Sequence, residues 1–86
     1  MKKEQKRKLT LYRPAAYQIK VPGLLDERYM DWADGLTVVN ESGEDGLPIT
    51  TLSGSMDQAA LLGLLRRLYS LGLPLISAVC LDVNIT

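Results

Sequence analysis

Apolar and polar residues alternate from Tyr17 to Val21, with Tyr17, Ile19 and Val21 on one side of the chain and Gln18 and Lys20 on the other. That period of two predicts a strand with one buried face, closed by Pro22-Gly23. The next signals are helical. Asp26 stands where a capping carboxylate would sit, Tyr29, Met30, Trp32 and Ala33 supply apolar contacts, and Gly35 offers a stop. A helix of about two turns is expected over 26–34. Leu36-Thr-Val-Val39 is short and β-branched, Asn40 to Gly46 is a run of turn formers, and Leu47 to Leu52 is again extended in character. Together they predict a hairpin whose loop carries Glu41, Glu44 and Asp45.

The best-marked element is a helix from about Met56 to Leu71. Ser55 and Gln58 have the spacing of a capping box, Asp57 suits the positive end of the helix dipole, and Gly72 followed by Leu73-Pro74 marks the stop. At 100° per residue, Ala60, Leu61, Leu62, Leu64, Leu65, Leu68, Tyr69 and Leu71 cover about half the circumference, a wide stripe for a helix lying on one sheet. The last segment, Leu75 to Val83, is rich in apolar residues on both faces, with Leu75, Val79, Leu81 and Val83 on one and Ile76, Ala78 and Cys80 on the other. Such a strand is expected to be central, or covered on both sides.

The order strand, short helix, strand, strand, long helix, strand matches the β-α-β-β-α-β arrangement of ferredoxin-like domains. The expected fold is a single small α+β domain over 15–86, a four-stranded antiparallel or mixed sheet with one long and one short helix. Residues 1–14 are expected to form a disordered N-terminal arm, being polar up to Lys8 and closing with Tyr12-Arg13-Pro14.

Composition narrows the class. Eighty-six residues hold one core, and at this size stability is often assisted by disulfides, metals or self-association. Cys80 is the single cysteine, so no intrachain disulfide can form, and a lone thiol fits the reducing cytoplasm. The N-terminal charges lead into no apolar run of signal-peptide length, and no apolar stretch approaches the roughly 20 residues of a membrane span. The formal charge of zero hides an asymmetry: Lys2, Lys3, Lys6, Arg7 and Lys8 oppose Glu4 in the arm, while the rest carries five cations against nine acids. A net negative body argues against a nucleic-acid surface, and the arm, without interleaved aromatics, is most simply a solubilising tail.

Candidate chemistry is sparse. The chain has no histidine, which removes the usual imidazole base of a Ser or Cys nucleophile and, with a single thiol, any intrachain zinc site of cysteines and histidines. Asp26, Glu27, Asp31 and Asp34 lack the D-x-D-x-D-G spacing of a calcium loop and are most simply a solvated helix face. Gly54-Ser55 lacks the P-loop pattern and is more simply a helix start. Cys80, in an apolar strand, is more simply a core residue than a redox thiol. No catalytic, metal or cofactor site is expected. Tyr29 and Trp32, with Asp31 and Tyr69, are the candidates for a contact surface or pocket, although aromatic staples of the short helix are the plainer account of the first two.

Leu25-Asp-Glu-Arg-Tyr-Met-Asp-Trp-Ala-Asp-Gly-Leu-Thr37, then Asp57-Gln-Ala-Ala-Leu-Leu-Gly-Leu-Leu-Arg-Arg-Leu68 and Leu71-Gly-Leu-Pro-Leu-Ile-Ser77, resemble a family of short uncharacterised prokaryotic proteins over roughly Tyr17 to Cys80. Members of that family often carry a histidine where this chain has Leu62 and a Gly-Pro pair where it has Gly54-Ser55. The resemblance implies a stand-alone small domain and carries no activity with it.

Apolar surface in excess of what two helices can cover leads to the expectation of a homodimer, closing sheet on sheet or edge on edge. The functional expectation is a non-enzymatic homodimeric interaction or regulatory module. The alternative is a small-molecule-binding protein or cofactor-independent enzyme of the dimeric ferredoxin-like type, which would need a cavity that a leucine-rich helix leaves little room for.

Overall fold

A computed structural model describes residues 9–25 and 35–81. Strand β1 (Ala15–Pro22), strand β2 (Thr37–Ser42), strand β3 (Pro48–Met56), helix α1 (Gln58–Ser70) and strand β4 (Ser77–Cys80) follow in that order. They build a four-stranded sheet of order β2-β3-β1-β4 in which every neighbouring pair is antiparallel. The domain is thus a small α+β unit, and of the two helices in the expected order the described residues contain one. The short helix expected over 26–34, with Tyr29, Asp31 and Trp32, lies outside the described residues, as do residues 1–8 of the arm.

The period-two pattern of β1 places Ala15, Tyr17, Ile19 and Val21 on the buried face, and a central position with a neighbour on each side explains why the strand outlasts its apolar pattern at both ends. Ile19 stands opposite Leu52, and Leu52 opposite Val38, so one apolar row crosses β1, β3 and β2. Onto this face α1 presents Leu61, Leu64 and Leu68 at i, i+3 and i+7. Ile19, Val21 and Leu52 are fully buried, each contributing roughly 1.5–3 kcal/mol of transfer free energy. The opposite face of the sheet is mainly polar. There Glu41 accepts a 3.0 Å hydrogen bond from the Thr51 hydroxyl and lies 3.6 Å from the Lys20 ammonium, a half-exposed ion pair of little energetic weight.

Four expectations are corrected. The helix is capped by Asp57, whose carboxylate accepts from the Ala60 N–H at 2.9 Å, while Ser55 belongs to β3, which runs on to Met56. Pairing with β1 down to Ala15↔Met56 holds the chain extended through Ser55, so the turn into the helix comes two residues later than the capping-box spacing implied. The hairpin is also tighter: β2 extends to Ser42, leaving a turn in which Gly43 N–H donates to Leu47 O at 2.7 Å. The helical stripe is narrower than the leucines suggested, because Leu62, Tyr69 and Leu71 are exposed. Finally β4, expected to be central or covered on both sides, is among the described residues an edge strand whose Ala78 and Val79 are exposed. The stop at Gly72 is as expected: with φ 79° it lets Leu73 N–H reach back to Leu68 O at 3.0 Å, closing the helix in a Schellman turn.

Residues 9–14 are exposed, yet they are tied to the domain: Gln58 N–H, in the first turn of α1, donates to Leu11 O at 3.2 Å.

Candidate functional site

Where β3 hands over to α1, the chain brings small residues together. Gly54 lies directly against Leu36, close enough that a Cβ at Gly54 would meet Leu36 Cδ2 at 2.5 Å. On the facing side of α1, Ala60 and Gly63 present almost no side chain, and a Cβ at Gly63 would meet nothing within 4 Å. The space between is a cleft of about 370 Å³, bordered by Gly35 and Leu36 on one side and by Ala60, Gly63, Leu64 and Arg67 of α1 on the other. Ser55 and Met56 close it from β3. The i, i+3, i+4, i+7 spacing of the four helical residues puts them on one face. The leucine-rich helix therefore does leave a cavity, contrary to expectation, because the side turned to the cleft is its glycine- and alanine-bearing one.

The cleft is within the size range of small-molecule sites, and Ser55 and Arg67 are the residues with polar side chains along its border. Ser55 stands opposite Ala16, on the sheet face turned away from α1. A guanidinium only donates hydrogen bonds, which suits recognition of a polar or anionic group better than proton transfer. Among the described residues no three His, Cys, Asp or Glu side chains gather in a way that could hold a metal ion.

A second polar cluster is structural in character. Thr50, fully buried, places its Oγ1 at 2.7 Å from Gly23 O, 2.7 Å from Asn40 Oδ1, and in reach of Leu25 N–H, which donates at 3.2 Å. One hydroxyl proton serves one of those acceptors; with the Asn40 amide turned to donate from its nitrogen, every group has a partner. The cluster locks the chain leaving β1 onto the β2–β3 hairpin. Tyr17, also buried, accepts from Gln58 Nε2 at 3.2 Å and so links β1 to the start of α1.

Of the candidate residues taken from the sequence, Tyr29, Asp31 and Trp32 lie outside the described residues. Tyr69 is 84% exposed on α1 and does not border the cleft. It shares a stripe with Leu62, seven residues earlier, and both project from the helix rather than into the core. Sequence reasoning passed over residues that do form the cleft, Ala60, Gly63 and Arg67; the usable signal was the pair of small residues at i and i+3 inside an otherwise leucine-rich helix.

Exposed apolar residues gather in the chain from the end of α1 through β4: Leu71, Leu75, Ile76, Val79 and Leu81 are each between 44% and 53% exposed. Among the described residues no helix is long and apolar enough to cross a membrane.

No curated protein and no solved structure matches the chain. A family model described as "Domain of unknown function (DUF8691)" matches residues 16–78, from the second residue of β1 into β4, and the chain belongs to that family.

Proposed function

We propose that the protein is a non-enzymatic interaction or regulatory module that acts as a homodimer in the cytoplasm. The observation that carries this reading is the run of half-exposed apolar residues from Leu71 to Leu81, bordering an edge strand. Apolar surface grouped at a sheet edge favours association, whereas scattered single residues would not. The fold is read as ferredoxin-like. The order β2-β3-β1-β4 with all neighbours antiparallel supports this, as does α1 joining β3 to β4 across the intervening β1. The cytoplasmic assignment rests on the lone thiol of Cys80. Native mass spectrometry of gently purified full-length protein tests the reading: a dimer of unmodified mass is expected, and a monomer across the micromolar range would overturn it.

The cleft beside α1 favours a second reading, a small-molecule-binding protein or cofactor-independent enzyme of the dimeric ferredoxin-like type, with Arg67 on its border as a polar contact. The same spectrum tests it. A reproducible extra mass that disappears in Gly63→Leu, which fills the cleft, would put this reading first.

A further inference from the structure

Among the described residues β2 and β4 form the two edges of the sheet, and they are built differently. The β2 edge, Thr37–Ser42, carries Glu41 and runs into a loop with Glu44 and Asp45. Charged residues on and beside an edge are a common guard against further strand pairing. The described β4 edge carries none within it, with Pro74 before it and Asp82 after it in the sequence. From Leu75 to Leu81 the sequence Leu-Ile-Ser-Ala-Val-Cys-Leu contains no charge, no proline and no glycine.

The ladder fixes which backbone groups β4 has to offer. Leu81 N–H donates to Ala16 O at 2.7 Å, and Tyr17↔Cys80 and Gln18↔Val79 are opposed in the same register. Leu81, Val79 and Ser77 therefore direct their backbone groups toward β1, and the alternation of an antiparallel pair turns those of Ala78 and Cys80 outward. Ile76 N–H is already engaged with Lys20 O at 2.8 Å.

We propose that β4 is the edge through which two copies of this chain join, antiparallel about a twofold axis at Val79, so that their sheets become one. This rests on the homodimer reading and names its surface. The occupant is a second copy because the outward groups on either side of Val79 are self-complementary, and because the axis sets Val79 against its own counterpart, where an edge uncharged from Leu75 to Leu81 opposes no like charges. The register follows from the free groups: with Val79 facing Val79, Ala78 pairs with Cys80 of the other copy and Cys80 with Ala78, which satisfies both outward residues. A register centred on Ala78 would draw on Ile76, whose N–H is taken. A short ladder alone falls below the area of a stable interface, so the half-exposed Leu75, Ile76, Val79 and Leu81 supply the remaining apolar contact.

Size-exclusion chromatography with light scattering on the full chain tests this by charge exchange. Val79 is 44% exposed on the polar face, so Val79→Lys and Val79→Glu are expected to fold as the parent does, checked by circular dichroism. Each alone should be a monomer at tens of micromolar, since like charges would meet across the axis, and the two mixed should recover the dimer. Ala78→Pro removes only an outward N–H and should also give a folded monomer. A parent dimer that survives Val79→Lys and Ala78→Pro overturns the β4 seam while leaving the homodimer standing. Monomeric charge variants that fail to pair when mixed overturn the register. A parent that is itself monomeric overturns both the seam and the homodimer.

Discussion

Thr50 does more for this fold than its type would indicate. A threonine in a strand is ordinarily read as a β-branched residue on a half-exposed surface, yet here the side chain is fully buried and its hydroxyl joins Gly23, Leu25 and Asn40. Thr50→Val keeps the shape and strips the hydroxyl, leaving Leu25 N–H and the Asn40 amide without their partner. The expected loss is about 1–3 kcal/mol, read as a lower urea midpoint with an unchanged slope. Nothing in the local sequence distinguishes Thr50 from Thr51, its neighbour on the other face, whose hydroxyl bonds to half-exposed Glu41. Strand parity separates the two once the register with Ile19 and Val21 is known, and that register is a long-range fact. Gly54 is similar: a side chain there would first displace the end of the Leu36 side chain, which a reading of residues 50–58 alone has no means of placing.

At the scale of elements, the sequence was most legible where local chemistry decides and least where pairing does. The alternation of β1 and the Gly72 stop of α1 were read directly, because side-chain parity and a positive φ are properties of a few adjacent residues. The start of α1 was misplaced because two capping patterns overlap in Ser55-Met-Asp-Gln58, and the β1–β3 ladder selects the later one. The two caps separate experimentally. Asp57→Ala should cost about 1 kcal/mol, seen as a lowered melting temperature, whereas Ser55→Ala, on an exposed strand position, should stay within about 0.5 kcal/mol of the parent. Equal losses at the two positions would contradict the cap assignment. β4 was misread for a related reason. Apolar residues on both faces predict cover, but among the described residues the four paired residues of β4 lie against β1 alone, and Ala78 and Val79 are exposed.

For the molecule as a whole, the α+β class and the succession of four strands and a long helix along the chain followed from the sequence, while the order of strands in the sheet and the cleft did not, the cleft depending on how α1 is rotated over β3. The rotation buries Leu61, Leu64 and Leu68 and turns Ala60 and Gly63 toward Leu36, and leucines on nearly every side of the helix left that choice open. The charge distribution at this scale also predicts how the assembly responds to conditions. A seam formed by Leu75 to Leu81 contains no ion pair, so the dimer's dissociation constant should change little between low salt and about 0.5 M sodium chloride, a range over which exposed charge contacts are screened out. A steep salt dependence measured by analytical ultracentrifugation would point to the acidic β2 side instead.

The unlike edges of the sheet set a limit on growth. A sheet with two bare edges has no reason to stop at two copies and can extend strand by strand into a fibre. In the proposed dimer the bare edge is consumed in a single self-complementary contact, and among the described residues the rims left outward on the joined sheet are both β2, bearing Glu41 with Glu44 and Asp45 in the adjoining loop. Two such rims repel one another rather than template a third copy, so the same asymmetry that invites pairing also makes the product finite.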